Sequence, residues 1–220
     1  MGIKAVVFDL DGTLVDTAPD FIVSLSALLK EEGRPALSDE SIRNTVSNGA
    51  SALVTLGFNL TEGDADFERL RQRLLTLYIQ HLADSSATFE GIDELLEWFR
   101  EQDIAWGIAT NKPAIYTEPL LKALDLRPTN NCIICPDHVS ERKPHPESLH
   151  LAAKLLNCQT EEIIYVGDHR RDIECGQRAN SPTIAAAYGY ISHIDEALSW
   201  QADHTVSHAK ELQAVIEALR

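Results

Sequence analysis

The chain has no apolar run approaching the ~20 residues that span a bilayer. Its first greasy stretch, "VVF" at 6–8, meets Asp9 and Asp11 within three residues, which a secretory leader does not tolerate. Gly2 stands where an N-myristoyl acceptor would, but Val6 occupies the place that the acylation motif reserves for Ser or Thr. Neither membrane insertion nor export is expected, and the expected location is cytoplasmic. Basic side chains are scarce: 19 Lys and Arg face 34 Asp and Glu, a net charge of −15. A protein that grips nucleic acid needs a basic footprint on the phosphate backbone, so that class of partner is excluded. Cysteine is scarce too, with four residues too scattered for a disulfide framework. Cys132 and Cys135 form a C-x-x-C, but no second pair or nearby His pair completes four zinc ligands. Ile133 and Ile134 between them read as strand, where residues three apart point to opposite faces. The two are expected to be buried core thiols.

What is present fits a globular enzyme-sized chain. Of 220 residues, 44% are apolar, enough for one large domain or a domain carrying an insertion. Short apolar runs at 4–8, 104–110, 132–135, 163–167 and 183–187 read as strands buried on both faces. Amphipathic patterns at 91–102, 113–126, 146–156 and 172–179 read as helices between them. Strand alternating with helix predicts a Rossmann-like parallel α/β sheet flanked by helices. Residues 18–88 break the rhythm. Phe21, Leu25, Leu28 and Leu29 share one helix face, Phe67, Leu70, Leu74, Leu77 and Tyr78 another, and no strand-like run intervenes. The expected organisation is an α/β core of 1–17 and 88–220 with a helical unit, 18–87, inserted after the first strand.

Ligands of open parallel sheets bind outside the carboxyl ends of the strands. The residues after each run should therefore meet: Asp9 and Asp11, then Thr110, Asn111 and Lys112, then Lys143, then Asp168 and Asp172. Four acids packed together raise one another's pKa values unless a cation compensates. Hard oxygen ligands with room for water favour Mg²⁺, and His169 is expected to face solvent rather than join them. Lys143 is expected to neutralise phosphoryl oxygens and restrain a nucleophilic carboxylate, with the Thr110 hydroxyl and the Asn111 backbone N–H as further donors. One carboxylate can attack phosphorus. A second, two residues on, can protonate the leaving oxygen and then deprotonate the attacking water. Each element alone is weak: Asp pairs sit in turns, Thr110 or Asn111 could cap the helix opening at Pro113, and Asp172 could answer a helix dipole. Their order after successive strands is what joins them. A net negative chain can still bind a small phosphorylated metabolite in a locally positive pocket.

At this point the chain resembles the haloacid dehalogenase superfamily of phosphatases. "DLDGTLVDT", "TNK", "RKPHP" and "GDHRRD" look like its four motifs in order. The resemblance implies Asp9 as nucleophile and Asp11 as acid/base. It also implies Mg²⁺ on the Asp9 carboxylate, the Asp11 backbone carbonyl and Asp168, with Asp172 supporting from behind. The helical insertion looks like the family's cap. Within the superfamily the chain is similar to the phosphoglycolate phosphatase branch, where "IRNTVSNGASALV" (42–54) corresponds to a cap loop facing substrate. Arg43, Asn48 and Gly49 are the substrate-binding candidates there, beside Thr110 and Asn111. "CPDHV" and "YGYI" also resemble the N-acetylmuramic acid 6-phosphate phosphatase subgroup.

Three positions depart from the pattern: His145 replaces an Asp, Asn180 a helix-ending Gly, and "SNG" the more usual Val-Gly-x-Gly. The implied function is Mg²⁺-dependent hydrolysis of a small phosphomonoester through an aspartyl phosphate, with both substrates open. A phosphomutase and a non-catalytic binding protein are the alternatives, and monomer and homodimer are equally open. A dehalogenase is disfavoured, because that branch lacks the residue corresponding to Asp11.

Overall fold

The computed structural model of the chain describes residues 2–220. The first strand, β1 (Ala5–Phe8), leads through a short strand β2 (Val15–Asp16) into four helices, α1 (Ala18–Glu31), α2 (Asp39–Arg43), α3 (Gly49–Phe58) and α4 (Phe67–Gln80). The chain returns through β3 (Ala87–Thr88), which pairs antiparallel with β2. It then alternates: α5 (Ile92–Glu101), β4 (Ala105–Ala109), α6 (Ala114–Ala123), β5 (Ile133–Ile134), α7 (Glu147–Leu155), β6 (Ile163–Gly167), α8 (Arg170–Arg178), β7 (Thr183–Ala186). A short helix α9 (Ile194–Leu198), a strand β8 (His204–Val206) and a helix α10 (Leu212–Leu219) close the chain.

The main sheet has the order β5-β4-β1-β6-β7-β8 and every pairing is parallel. All five apolar runs are in it, and their reading as strands buried on both faces holds. Along β1, Val6 and Phe8 face the layer that holds Ile92, Leu95 and Phe99 of α5 and Ile216 of α10. Ala5 and Val7 face the layer built from Leu149 and Ala152 of α7 and Cys175 of α8. Alternation along a strand is what lets a short apolar run feed two layers at once. Cys132 joins the second layer and Cys135 lies buried beside it, both as free thiols. Burial pushes the Cys132 thiol up to about 12 and the Cys135 thiol up to about 11.

Two features differ from the sequence reading. β8 adds a sixth strand at the sheet edge, where "HTV" has only Val206 buried and shows no apolar run. The ribbon of β2 and β3, two residues in each strand, forms the two-chain stem of the helical segment, too short to leave a pattern. The faces read from α1 and α4 pack on each other as a separate apolar cluster, with the Phe21 and Tyr78 rings stacked at 4.0 Å. Asn180, standing in place of a helix-ending Gly, takes the left-handed conformation that Asn also tolerates (φ 58°) just past α8.

The return of the chain to the stem hangs on Asp20, a buried acid in the first turn of α1. Its carboxylate accepts the Ala83 and Ser85 backbone N–H groups at 2.9 and 2.8 Å, and the Ser86 hydroxyl. Removing it takes the partner from three donors, of which the Ser86 hydroxyl is buried, at about 1–3 kcal/mol for the group. Asp20→Ala is expected to lower the melting temperature by about 3–8 °C for a chain of this size. Thermal unfolding followed by circular dichroism checks it, and an unchanged Tm would remove Asp20 from this role.

Candidate active site

The peptide after β1 doubles back at once: the Leu10 carbonyl accepts from the N–H groups of Leu14 and Val15 at 3.1 and 2.9 Å. Gly12 makes the turn at φ +84°, and a Cβ there would stand 2.2 Å from Asp168 Oδ2. Glycine is thus required twice, for the left-handed backbone and for the close approach of an acid from β6. The turn leaves Asp9 at the strand end and Asp11 two residues on, both lining one cavity.

The two acids are held apart by two different lysines. Lys143, on the loop before α7, is buried with its Nζ 2.9 Å from Asp9 Oδ1 and 2.7 Å from Asp172 Oδ1. It also reaches the Ala109 carbonyl at 2.9 Å and the Tyr165 hydroxyl at 3.0 Å. Burial works against its charge, but the Asp172 and Asp9 carboxylates outweigh that and hold the ammonium above the ordinary lysine range. With its three protons engaged and no part of it lining the cavity, Lys143 restrains acids. It has no donor left for the phosphoryl oxygens it was expected to neutralise. Asp9 Oδ1 also accepts the Leu10 N–H at 2.7 Å, while Asp9 Oδ2 has no partner among the described residues. Asp11 is gripped from the other side, its Oδ1 2.8 Å from Lys112 Nζ and accepting the Thr17 hydroxyl. Sequence order puts Lys112 on the rim without pointing to a partner for it. Its partner is two residues beyond the nucleophile candidate, a pairing no spacing rule announces.

Asp168 differs from both. Its Oδ1 accepts the Thr13 hydroxyl at 3.2 Å, and its Oδ2 accepts the Ser47 hydroxyl at 2.8 Å and the Tyr190 N–H at 3.1 Å. No cation pairs with it among the described residues. Burial and the nearby Asp9 and Asp172 charges push its carboxyl up to about 7. Burial also raises Asp9, against the pull of Lys143. One oxygen from each of Asp9, Asp168 and Asp172 lies within 4.8 Å of the others. Three buried carboxylates with one lysine among them are short of positive charge, and an all-oxygen donor set fits a hard divalent ion such as Mg²⁺. Asp172 is the most committed of the three. It pairs with Lys143 and accepts the His169 N–H at 3.1 Å at the start of α8, which suits support over ligation.

The cavity encloses about 490 Å³ between the sheet edge and the helical segment. Thr110, Asn111, Asn48 and Gly49 line it as expected, together with Ser47, Tyr78 and three arginines, Arg71, Arg142 and Arg171. Arg43 does not. Its guanidinium pairs with both Asp16 oxygens at 3.0 and 2.9 Å and lies over the Tyr190 ring, so it serves the stem instead of facing substrate. Tyr190 was also missed: its hydroxyl accepts the Thr17 and Ala18 N–H groups at 2.6 and 2.9 Å and donates to Asp16. It thereby caps α1, whose first N–H groups have no partner inside the helix. His169 is not the solvent-facing neighbour expected. It is half-buried, stacks on Trp200, and its Nδ1 accepts the Arg171 N–H at 3.2 Å. Burial and the Arg171 charge lower it to about 4, so it caps α8 as a neutral ring. The His145 ring does not line the cavity.

Transfer of a phosphoryl group asks for a nucleophile fixed by one oxygen, a second acid within reach, and charge to offset the phosphate; the rim is equipped as an enzyme of that class. The chain belongs to the haloacid dehalogenase-like hydrolase family, whose family model matches residues 6–186. It is 44% identical over 218 residues to the N-acetylmuramic acid 6-phosphate phosphatase of Pseudomonas putida, covering 99% of this chain and 98% of that protein. It is 36% identical over 209 residues to the phosphoglycolate phosphatase of Xanthomonas campestris, covering 95% and 94%. The fold matches the crystal structure of a predicted phosphoglycolate phosphatase from Haemophilus somnus 129PT with a TM-score of 0.83, at 23% identity over 97% of each chain. The chain is a phosphatase. No helix among the described residues is long and apolar enough to cross a membrane.

Asp168 supplies a pH test of the cation. Its carboxyl stands at about 7 in the fold against an ordinary 3.8, so folding takes up a proton between those values. The stability it contributes is present below 3.8 and lost as pH rises through 7. A divalent ion held there would replace that proton and restore what was lost. Mg²⁺ is expected to raise Tm over EDTA by several degrees at pH 8 and by much less at pH 5. Equal shifts at the two pH values would take Asp168 out of the cation site.

Proposed function

We propose that the chain hydrolyses a small phosphomonoester in two steps through Asp9, in the cytoplasm, and that the substrate is N-acetylmuramic acid 6-phosphate. The observation that carries the chemistry is the asymmetry of Asp9, whose side chain lines the cavity: Oδ1 is tied to Lys143 and the Leu10 N–H, and Oδ2 has no partner among the described residues. Oδ2 attacks phosphorus, the bond from phosphorus to the ester oxygen breaks, and Asp11 gives that oxygen its proton. Asp11, now ionised, takes a proton from water. The water oxygen attacks phosphorus, the bond to Asp9 breaks, and inorganic phosphate leaves with Asp9 restored. The Thr110 hydroxyl accepts the Lys112 N–H at 3.1 Å, which leaves its own proton for a phosphoryl oxygen beside the Asn111 N–H. Asp9 and Asp168, with the Asp11 backbone carbonyl, would hold Mg²⁺, which when bound offsets phosphoryl charge. The segment 18–87 acts as the cap, and closing it excludes stray water from the acyl phosphate.

Three observations favour the amino-sugar substrate. The relatives named for it match along their whole length at 44% and 41% identity. The cavity, about 490 Å³, lies within the range for sugar-sized ligands and is roomy for a two-carbon acid. Tyr78 brings to that cavity a buried hydroxyl with no hydrogen-bond partner among the described residues, and Arg142 brings charge for a carboxylate, Arg71 being already paired with Glu68 at 2.8 Å. The second reading, 2-phosphoglycolate, rests on the 36% relatives.

Phosphate release from N-acetylmuramic acid 6-phosphate, 2-phosphoglycolate and N-acetylglucosamine 6-phosphate, with Mg²⁺ and with EDTA, tests both readings. Metal-dependent release is expected, with the first substrate leading at kcat/KM above roughly 10⁴ M⁻¹s⁻¹. A higher value for 2-phosphoglycolate would reverse the order of the readings. Asp9→Asn is expected to lower kcat by about 10³-fold or more while circular dichroism stays unchanged. Near-normal turnover in that variant would end the nucleophile assignment.

A further inference from the structure

We infer that Lys112 is a positioning residue for Asp11, set in place by the Phe21–Tyr78 aromatic pair, and that it presents the second Asp11 oxygen to the leaving group. This rests on the reading above, in which Asp11 protonates the ester oxygen. A loop lysine normally lays its stem along the surface and keeps its ammonium in water. The Lys112 side chain is instead 7% exposed, with Nζ 2.8 Å from Asp11 Oδ1. The same Nζ lies 4.6 Å from the centre of the Tyr78 ring and 5.1 Å from that of Phe21. These rings are stacked on each other, and they belong to α4 and α1 of the helical segment, not to the sheet that carries Lys112. A carboxylate and two aromatic faces thus fix the ammonium and offset the loss of its rotamer freedom.

Asp11 is thereby treated as Asp9 is. Lys112 and the Thr17 hydroxyl both fall on Oδ1, and Oδ2 has no partner among the described residues, in a side chain that lines the cavity. Each working acid is gripped through one oxygen by its own lysine and offers the other. The difference lies in what holds the lysine. Lys143 is locked by groups of the core alone, whereas Lys112 is held partly by the inserted helices. The aim of the acid therefore depends on those helices lying over the site, and the aim of the nucleophile does not.

Leaving-group dependence separates this role from a general structural one. p-Nitrophenolate departs without a proton, while a sugar alkoxide needs one, and kcat/KM reports the step in which the ester bond breaks. For Lys112→Met, kcat/KM is expected to fall about 10- to 100-fold on N-acetylmuramic acid 6-phosphate or 2-phosphoglycolate. The fall on p-nitrophenyl phosphate is expected to be several-fold smaller. Phe21→Leu, which leaves Lys112, Asp11 and the Tyr78 hydroxyl in place, is expected to show the same bias in milder form and supplies the test if Lys112→Met does not fold. Equal losses on both ester classes, or no loss on either, would overturn the inference. A wild-type enzyme that hydrolyses none of the three esters would overturn the phosphatase chemistry before Lys112 is reached.

Discussion

Everything at this site answers one constraint: buried carboxylates cannot crowd together in a place that excludes water without positive charge among them. Lys143 meets part of it. Its ammonium sits between Asp9 and Asp172, and its remaining proton is absorbed by the Tyr165 hydroxyl and the Ala109 carbonyl. This saturation makes it a fixed charge, and a fixed charge orients Asp9 through one oxygen. It is also incomplete compensation, since Asp168 is left with hydroxyl and amide donors only. The three carboxylates would suit a hard divalent ion where the protein's own cations run out.

The same logic governs how the helical segment meets the sheet. Its stem is a ribbon of two-residue strands, which could not by itself hold a four-helix unit in register. Polar contacts take over that task. Arg43 bridges to Asp16, Tyr190 caps the start of α1, and Asp20 ties the returning chain back to that helix. Ser47 and Lys112 then carry the contact into the chemistry, one reaching from the helices to Asp168 and the other from the sheet up to the aromatic pair. The helical segment and the acids of the rim are in this way parts of a single network of contacts.

Much of this was legible in the chain. The apolar runs, the helical periodicities and the switch of period after the first strand are local patterns, and local sterics and burial convert them into elements. The rim residues Asp9, Asp11, Thr110, Lys143 and Asp168 were legible because topology sends every strand end of a parallel sheet to one edge. β8 escaped notice because an edge strand buried on little of its surface leaves no apolar run. Arg43 was misjudged for a different reason: a cationic side chain on a short helix reads the same whether it faces a ligand or a stem carboxylate.

The sequence by itself thus determined the class of fold, the order of the elements and the chemical character of the rim, because these depend on side-chain pattern and chain connectivity. Only the tertiary structure decided which acid answers to which lysine, that Lys143 has no proton left for substrate, and that Asn48 and Gly49 reach the cavity while Arg43 does not. Those outcomes turn on distances of a few ångströms between residues far apart in the chain, 101 positions in the case of Lys112 and Asp11. No local pattern encodes such a distance; it follows from how the layers pack.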